Sequence, residues 1–358
     1  MFQPGLKGIT AVETKLSEID GGNGHLSYRG KEIGELMQGR SFEEIAYFLL
    51  NGSLPNPSEY ISFKEKLQAS RALEPRLLDL IRQLPKDQPM MSVLRTAISA
   101  MEDSGESWPL SADGAIKWIA RLPSIIAHRY RWVKGYEEVS ERKDLNHTAN
   151  FLYMLFGEEK REEEVKALEG YLILTMEHGL NASTFSARVT TSTQVGYAGA
   201  LTAALATMQG PLHGGAPGGV IDLLEEIEHE DRIHEVIEKK IMNGEKIMGF
   251  GHRVYKTTDP RADALKEVLV NGENQPEWIQ LALKTEQETI ELLKKHKPGR
   301  DLYANVEYYA AAVMKALEIE PELFTAIFSS SRVVGWCAHS KEQSENNVIF
   351  RPKAKYIG

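Results

Sequence analysis

The sequence contains little cysteine, no long apolar run and no excess of positive charge. Its 358 residues include one cysteine, Cys337, so an internal disulfide framework is excluded. The longest gently apolar run, 195–208, is shorter than the roughly 20 helical residues that cross a bilayer. A formal net charge of −9 disfavours nucleic acid and anionic membranes as partners. Because the start also lacks the pattern of a secretion signal, we predict a cytoplasmic protein.

Helical periodicity dominates the remaining pattern. Apolar residues recur at steps of three and four in 91–101 and 165–176, and Ser41 with Glu44 forms a possible capping box. Only 10–28, with a glycine-rich turn composition at its centre, favours a small hairpin. We therefore predict a mainly α-helical protein with one small N-terminal β-hairpin.

The second half of the chain contains signals for a separate unit. A helix over 195–208 should end at Gly210, which places His213 just beyond it. An acidic helix-forming stretch, 222–240, follows, and 271–276 breaks the pattern before further helix. These signals predict a smaller unit beginning near 214 and ending near 318.

One short segment, 249–261, combines a Gly-x-Gly turn, an imidazole, several cations and a proline. Glycines allow close backbone approach to a ligand, histidine moves protons near neutral pH, and Arg and Lys bind carboxylate and phosphate oxygens. The segment lacks the third glycine and the preceding strand of a dinucleotide fingerprint. It predicts an anionic substrate that undergoes acid-base chemistry.

Three histidines, His178, His213 and His252, each neighbour a glycine. Any one alone is more simply a structural turn, but together they suggest a site. Asn305 is a plausible N-cap that places Glu307 in the first turn of a helix, where the helix dipole favours the ionised carboxylate. An ordinary first-turn glutamate is the alternative interpretation of Glu307.

Three arginines, Arg261, Arg332 and Arg351, stand outside solvated charge runs and could pair with a dicarboxylate, although an isolated surface arginine is the default interpretation. Cys337 and His339 are two apart and would point to different sides of a helix, which argues against a thiol nucleophile. We find no Cys/His pattern typical of a metal site and predict no metal.

The chain resembles the citrate synthase family through linked motifs that keep the family's order and spacing. These motifs are Leu6-Lys7-Gly8 through Tyr28-Arg29-Gly30, Glu177-His178-Gly179-Leu180-Asn181-Ala182-Ser183, Gly210-Pro211-Leu212-His213-Gly214-Gly215-Ala216, the segment 249–261, Asn305-Val306-Glu307, Ser331-Arg332 and Phe350-Arg351-Pro352.

The resemblance implies a homodimer of mainly helical subunits. Each subunit would have a large domain, 1–214 with 319–358, and a small domain, 215–318. It also implies condensation of acetyl-CoA with oxaloacetate, followed by thioester hydrolysis to citrate and CoA, with CoA only as a cosubstrate and no metal or redox cofactor.

By the same resemblance, Glu307 would take a proton from the acetyl methyl group, His213 would donate to the thioester oxygen, and His252 would act on the oxaloacetate carbonyl. Oxaloacetate and citrate contacts would come from His178, Arg261, Arg332 and, from the partner subunit, Arg351. The implied CoA segment comprises Ile247, Met248, Gly249, Phe250, Gly251, Arg253 and Lys256.

One position departs from the family pattern, because Glu307 stands where the family usually has aspartate. The extra methylene moves the carboxylate by about 1 Å, and such a displacement can cost on the order of 10²-fold in rate. Two alternatives therefore stay open. One is a 2-methylcitrate synthase that uses propionyl-CoA, and the other is a weakly active regulatory protein that binds citrate or CoA.

Overall fold

The computed structural model describes residues 2–101, 105–214, 217–252, 254–270, 277–299 and 301–358. Within these ranges the chain forms one small sheet and sixteen α-helices. The strands are β1 (Ser17–Asp20), β2 (His25–Tyr28) and β3 (Lys31–Glu32). The helices are α1 (Ile33–Leu36), α2 (Phe42–Asn51), α3 (Pro57–Ala69), α4 (Pro75–Gln83), α5 (Met90–Ala100), α6 (Ala112–Lys134), α7 (His147–Phe156), α8 (Glu162–Thr175), α9 (Ala182–Thr191), α10 (Tyr197–Met208), α11 (Pro217–Ile227), α12 (Ile233–Met242), α13 (Pro260–Val270), α14 (Glu277–His296), α15 (Val306–Ala316) and α16 (Phe324–Glu345).

The N-terminal hairpin is confirmed and gains a third strand. β1 pairs antiparallel with β2, which places Ser17 opposite Tyr28 and Asp20 opposite His25, and β3 adds to the other edge of β2. The Asp20 carboxylate accepts the Gly22 amide at 2.9 Å and so closes the turn. The mainly helical prediction is confirmed as well.

The helices form two groups, and helix α16 lies at the centre of the larger helical group. It packs against α2, α5, α6, α8, α9 and α10, and most of its residues are buried. Trp336 and Cys337 are both fully buried, as the apolar surroundings of Cys337 had predicted. Burial raises the pKa of the Cys337 thiol well above its usual range, so it is no nucleophile near neutral pH.

A second group of helices, α11 to α15, packs mainly within itself. α15 contacts α11 and α13, and α12 lies along α14. The acidic stretch 222–240 is not one helix, because Glu228 adopts a left-handed φ of 64° and ends α11 before α12 begins. No helix in the described ranges is both long and apolar enough to span a membrane.

The hairpin turn supports the loop that carries His252. The amide of Lys256 donates to the carbonyl oxygen of Gly21 at 2.7 Å. A side chain at position 21 would place its Cβ 2.2 Å from the carbonyl oxygen of Val254, so only glycine fits this contact. The N-terminal strands therefore take part in positioning the segment 254–259.

Candidate active site

Three rings meet beside the start of α13. The rings of His178 and His252 are nearly perpendicular, with centroids 5.6 Å apart. Tyr255 lies against both, at 5.7 Å from His178 and 4.8 Å from His252. Its hydroxyl is hydrogen bonded to Nε2 of His178 at 3.1 Å. Two of the three predicted histidines are therefore neighbours, and the structure adds Tyr255 to them.

His252 is held in its neutral form with a defined proton. Its Nδ1 accepts the backbone amides of Val254 and Tyr255 at 3.1 and 3.2 Å. Its Nε2 lies 3.4 Å from Nη2 of Arg261, so the two shorter contacts at Nδ1 decide the tautomer and place the ring proton on Nε2. Burial and the nearby charge of Arg261 lower the pKa of His252 to about 4. The same two causes hold the pKa of His178 well below its usual value. Near neutral pH both rings are uncharged.

Arg261, at the start of α13, is paired with a carboxylate of the protein itself. Its Nε donates to Asp259 at 3.0 Å and its Nη2 at 2.8 Å, and both side chains are buried. Burial alone would lower the pKa of Arg261, but Asp259 outweighs that effect and raises it. Asp259 therefore accepts from the guanidinium donors that the sequence had suggested for a substrate carboxylate. Arg261 acts first as a fixed positive charge.

Arg332, on α16, is also buried but keeps more of its donors available. Its Nε donates to the carbonyl oxygen of Thr175 at 2.6 Å, and its guanidinium lies 4.7 Å from the ring centroid of Phe328. That is its one hydrogen bond within the described chain. Two Nη groups therefore remain to bind an anion.

Glu307 lies in the first turn of α15, as predicted. The Asn305 side chain caps that helix by accepting the Glu307 amide at 3.0 Å, which confirms the predicted N-cap. Among the described residues no hydrogen-bond partner meets the Glu307 carboxylate. Burial raises its pKa to about 7, although the charge of Arg261 lowers it. Burial therefore opposes the ionised form that the helix dipole favours.

His213 lies on the turn that follows α10. Its Nε2 accepts the Ser183 backbone amide at 3.3 Å and lies 2.8 Å from the Ser183 hydroxyl oxygen. The indole N–H of Trp336 donates to that oxygen at 3.1 Å. Because the amide can only donate, the neutral ring carries its proton on Nδ1. Through Ser183 and Trp336 the ring is held against α9 and α16.

A second glutamate, Glu177, anchors the loop of His178. Its Oε1 accepts the Ser17 hydroxyl at 2.9 Å and the Gly179 amide at 2.6 Å, and lies 3.0 Å from Nε2 of His339. Burial alone would raise the pKa of Glu177, but His339 and these hydrogen bonds lower it. The anchor joins β1, the loop before α9, and α16.

The Gly-x-Gly turn packs against the start of α15. Gly249 and Gly251 both have φ of 83°. The Asn305 amide donates to the carbonyl oxygen of Gly249 at 2.8 Å, and the Asn305 side chain donates to that of Gly251 at 2.9 Å. A Cβ on Gly249 would lie 2.8 Å from Tyr308. Glycine is required here by the protein's own packing, whereas the sequence had suggested approach to a ligand.

The other residues predicted to bind CoA differ in exposure. Ile247 and Phe250 are buried in the protein, and Met248 is half-buried. Lys256 is exposed and could meet a phosphate. Arg253 lies outside the described residues. Ile247 and Phe250 therefore serve the core, and any CoA contact from them would be through their backbone.

Arg351 is separate from this cluster within one chain. It is exposed in the C-terminal segment 347–358, which forms no helix or strand, and it makes no hydrogen bond or ion pair with the described residues. In the same described part of the chain, no three His, Cys, Asp or Glu side chains are grouped to hold a metal ion.

The part of the sequence that contains the site residues matches one protein family. Residues 5–353 match the family described as citrate synthase, C-terminal domain. The chain belongs to the citrate synthase family. The predicted family is therefore confirmed over nearly the whole chain, and with it the prediction that the protein is an enzyme.

Named relatives support the same conclusion. The citrate/2-methylcitrate synthase of Bacillus subtilis is 37% identical over 100% of this chain and 96% of its own length. The crystal structure of citrate synthase from Thermotoga maritima is 40% identical, with a TM-score of 0.89 over 100% of this chain and 96% of the other. The Thermoplasma acidophilum enzyme, solved as a ternary complex with carboxymethyl coenzyme A and oxaloacetate, is 32% identical, with a TM-score of 0.88 over 98% and 94%.

Sequence reasoning missed several residues that shape the site. Tyr255 lay inside the segment already singled out but was not chosen, because a tyrosine alone carries no signal for a ring cluster. Asp259 stands two residues before Arg261 and next to a proline, a pattern that marks a helix start and could have suggested the pair. Glu177 gave no comparable signal, because its partners are distant in the chain.

Proposed function

We propose that the protein condenses acetyl-CoA with oxaloacetate and hydrolyses the resulting citryl thioester, which releases citrate and CoA. One observation carries this proposal. The Glu307 carboxyl has no hydrogen-bond partner in the part of the chain that the structure describes, its pKa is about 7, and the charges of buried Arg261 and Arg332 act on it. Such a carboxyl can accept and return a proton near neutral pH beside anionic substrates.

The first step is enolisation of the acetyl group. Glu307 removes a proton from the acetyl methyl carbon, and the electron pair moves toward the thioester oxygen. The proton on Nδ1 of His213 meets the charge that develops on that oxygen. The fixed acceptor role of Nε2 toward Ser183 supports this assignment, because it leaves Nδ1 as the donor.

The second step joins the two carbons. Nε2–H of His252 donates to the oxaloacetate carbonyl oxygen while the enol carbon attacks the carbonyl carbon. The Nη groups of Arg332 and the ring of His178 hold the carboxylates, and Arg261 adds a charge that Asp259 fixes in place. Water then attacks the citryl thioester carbonyl, the C–S bond breaks, and the CoA sulfur leaves as the thiol.

We place CoA along the turn that begins at Ile247 and ends at Lys256. The exposure of Lys256 supports a phosphate contact there. The hydrogen bonds that join Gly249 and Gly251 to Asn305 tie this turn to the helix of the proposed base. CoA bound on this turn would therefore place its thioester near Glu307.

Release of free thiol from acetyl-CoA tests the reaction directly. Wild-type protein should release CoA only when oxaloacetate is present, and citrate should accumulate in equal amount. Glu307→Gln serves as the matched control for contaminating hydrolases, because it keeps the shape of the side chain but removes the base. Thiol release at the same rate with and without oxaloacetate would exclude this function.

A second candidate is 2-methylcitrate synthesis, because the Bacillus subtilis relative carries both activities in its name. One added methylene is usually discriminated by only about 1–3 kcal/mol. Acetyl-CoA and propionyl-CoA should be compared by kcat/KM at one oxaloacetate concentration, and the larger value identifies the substrate. If neither yields thiol, calorimetric titration with citrate and CoA tests the remaining regulatory alternative.

We further propose a large domain, 1–214 with 319–358, a small domain, 215–318, and a homodimer in which Arg351 completes the partner's site. Exposed apolar side chains along the C-terminal segment support the dimer, since Val348, Tyr356 and Ile357 are 72%, 91% and 90% exposed. The cytoplasmic location stays a prediction.

Mixed dimers test the role of Arg351. Arg351→Ala and Glu307→Gln subunits should each be nearly inactive, but a mixed dimer would contain one site with neither change and should regain activity. The two singly mutated homodimers, kept unmixed, are the control. Absence of regained activity in a verified mixed dimer would place Arg351 outside the partner's site.

A further inference from the structure

Several buried polar atoms have no hydrogen-bond partner among the described residues, and one of them is a hydroxyl near the site. Tyr171 lies on α8 with 1% of its surface exposed, and its hydroxyl oxygen is buried without any partner among the described residues. Leaving a buried hydroxyl unpaired is unfavourable, because it has lost its water without replacement. Such a group in a native protein calls for a functional explanation.

The position of Tyr171 supplies one. α8 packs against α13 and α15, the helices that begin near Arg261 and Glu307. The Tyr171 carbonyl accepts the Thr175 hydroxyl at 2.7 Å, and the Thr175 carbonyl in turn accepts Arg332. Of the charges that act on the Tyr171 hydroxyl, Glu307 is the strongest, followed by Arg332 and Arg261. An unpaired donor thus lies within the electrostatic range of an unpaired carboxylate.

The other groups around Glu307 cannot supply this hydrogen bond as readily. Arg261 is occupied by Asp259, which also repels the Glu307 carboxylate. Arg332 is fixed through Thr175 and is proposed to hold oxaloacetate. On the remaining packed helix, α11, the acidic residue Glu225 pairs with Lys315 at the far end of α15. The Tyr171 hydroxyl is an uncharged donor in this neighbourhood that has no partner among the described residues.

We propose that Tyr171 is a positioning residue for Glu307, whose carboxylate accepts a hydrogen bond from the Tyr171 hydroxyl when substrates are bound. The bond holds the longer glutamate chain in one orientation. It also favours the ionised form, which is the form that can take a proton from the acetyl group. This inference rests on the proposed function, since it assigns Glu307 as the base.

The effect of Tyr171→Phe on the pH dependence of kcat, measured with both substrates saturating, is the central test, because kcat reports ionisation in the substrate-bound enzyme. Loss of a donor to the carboxylate destabilises its ionised form, so the acidic limb of the profile should move to higher pH by about one unit. Above that limb the rate should return to within about threefold of wild type. A purely structural role would lower the rate at every pH without moving the limb.

Tyr308→Phe is the matched control. Tyr308 is equally buried and adjacent to Glu307 in the chain, but its hydroxyl donates to the carbonyl oxygen of Ala282 at 2.6 Å. It should leave the limb in place. A limb that moves equally in both variants, or in neither, would overturn the proposal. So would a large rise in the oxaloacetate KM of Tyr171→Phe with an unmoved limb, because the hydroxyl would then serve the substrate.

Two further measurements separate this inference from the proposed reaction. Infrared difference spectra across pH follow the Glu307 carboxyl without turnover, with Glu307→Gln identifying its band, and should show the same upward shift in Tyr171→Phe when a CoA analogue and oxaloacetate are bound. The melting temperature of Tyr171→Phe should match or exceed that of wild type, because an unpaired hydroxyl is lost. A clearly lower melting temperature would contradict the unpaired hydroxyl on which the inference stands.

Discussion

Two glutamates, the buried Glu177 and the half-buried Glu307, differ in how their carboxylates are surrounded. Glu177 accepts hydrogen bonds from Ser17 and Gly179 and contacts His339, and its pKa is lowered. Glu307 has no hydrogen-bond partner among the described residues, and its pKa is raised to about 7. Burial disfavours ionisation of both, so the difference comes from the donors around each carboxylate.

The comparison shows how one residue type can serve two purposes. A carboxylate with one oxygen bound by several donors stays charged and holds structure in place, although Oε2 of Glu177 has no partner among the described residues. A carboxylate left unpaired can change its charge at neutral pH and is therefore able to carry a proton. The sequence around each glutamate does not reveal this difference, because both Glu177 and Glu307 lie in short motifs that contain polar residues or glycine.

The largest expected effect separates the two glutamates by turnover. Glu307→Gln removes the proposed base and should lower kcat by on the order of 10³-fold, the range typical of a lost general base. Oxaloacetate binding should persist, as measured by calorimetry. The comparison would fail if the Gln variant kept wild-type turnover.

The next effect separates them by stability. Glu177→Gln removes a charge that is paired in the buried core and should lower the free energy of unfolding by about 2–4 kcal/mol, measured by urea titration near pH 8. Glu307→Gln should instead raise the free energy of unfolding. Because the folded pKa of Glu307 lies above its unfolded value, stability falls as the pH rises from the unfolded value to the folded value of about 7. The full loss is present at pH 8, and the neutral Gln avoids it. Equal destabilisation by both changes would contradict the assigned environments.

A third effect concerns the pH dependence of the wild-type rate. With a pKa of about 7, Glu307 is increasingly protonated below that pH, so kcat/KM should fall about tenfold per pH unit on the acidic side. His252, with its pKa lowered to about 4, should add no further limb between about pH 5 and 8. A flat profile from pH 6 to 8 would show that another group is the base.

The smallest effect sharpens the comparison at Glu307 itself. Glu307→Asp restores the residue usual in the family and should retain activity or raise it by a few-fold, because a carboxylate is kept while its reach shortens by about 1 Å. Steady-state kinetics with acetyl-CoA and propionyl-CoA measure the change. A loss as large as that of the Gln variant would mean that the surrounding chain is built around glutamate.

Local sequence signals predicted local structure well. The hairpin, the Ser41 capping box of α2 and the Asn305 cap of α15 are all confirmed, because each depends on residues a few positions apart. The helical prediction for 222–240 was wrong at Glu228, which adopts a left-handed φ. Nothing in the acidic composition of this stretch marks that position.

Electrostatic properties of the site could not be predicted in the same way. The ionisation of Glu307 depends on how deeply α15 is packed, and the occupancy of Arg261 depends on which carboxylate folds against it. Both are set by contacts between helices. The family resemblance indicated which residues belong to the site. The pairing of Asp259 with Arg261 and the unpaired Tyr171 hydroxyl could be identified only in the folded structure.

The contact between the N-terminal turn and the His252 loop has a consequence for protein synthesis. Gly21 leaves the ribosome early, whereas Lys256, whose amide it binds, follows much later. Arg332 and α16, which form the core of the larger helical group, come later still. A growing chain therefore cannot hold oxaloacetate in the proposed way until its synthesis is almost complete, and we expect fragments that end before α16 to be inactive.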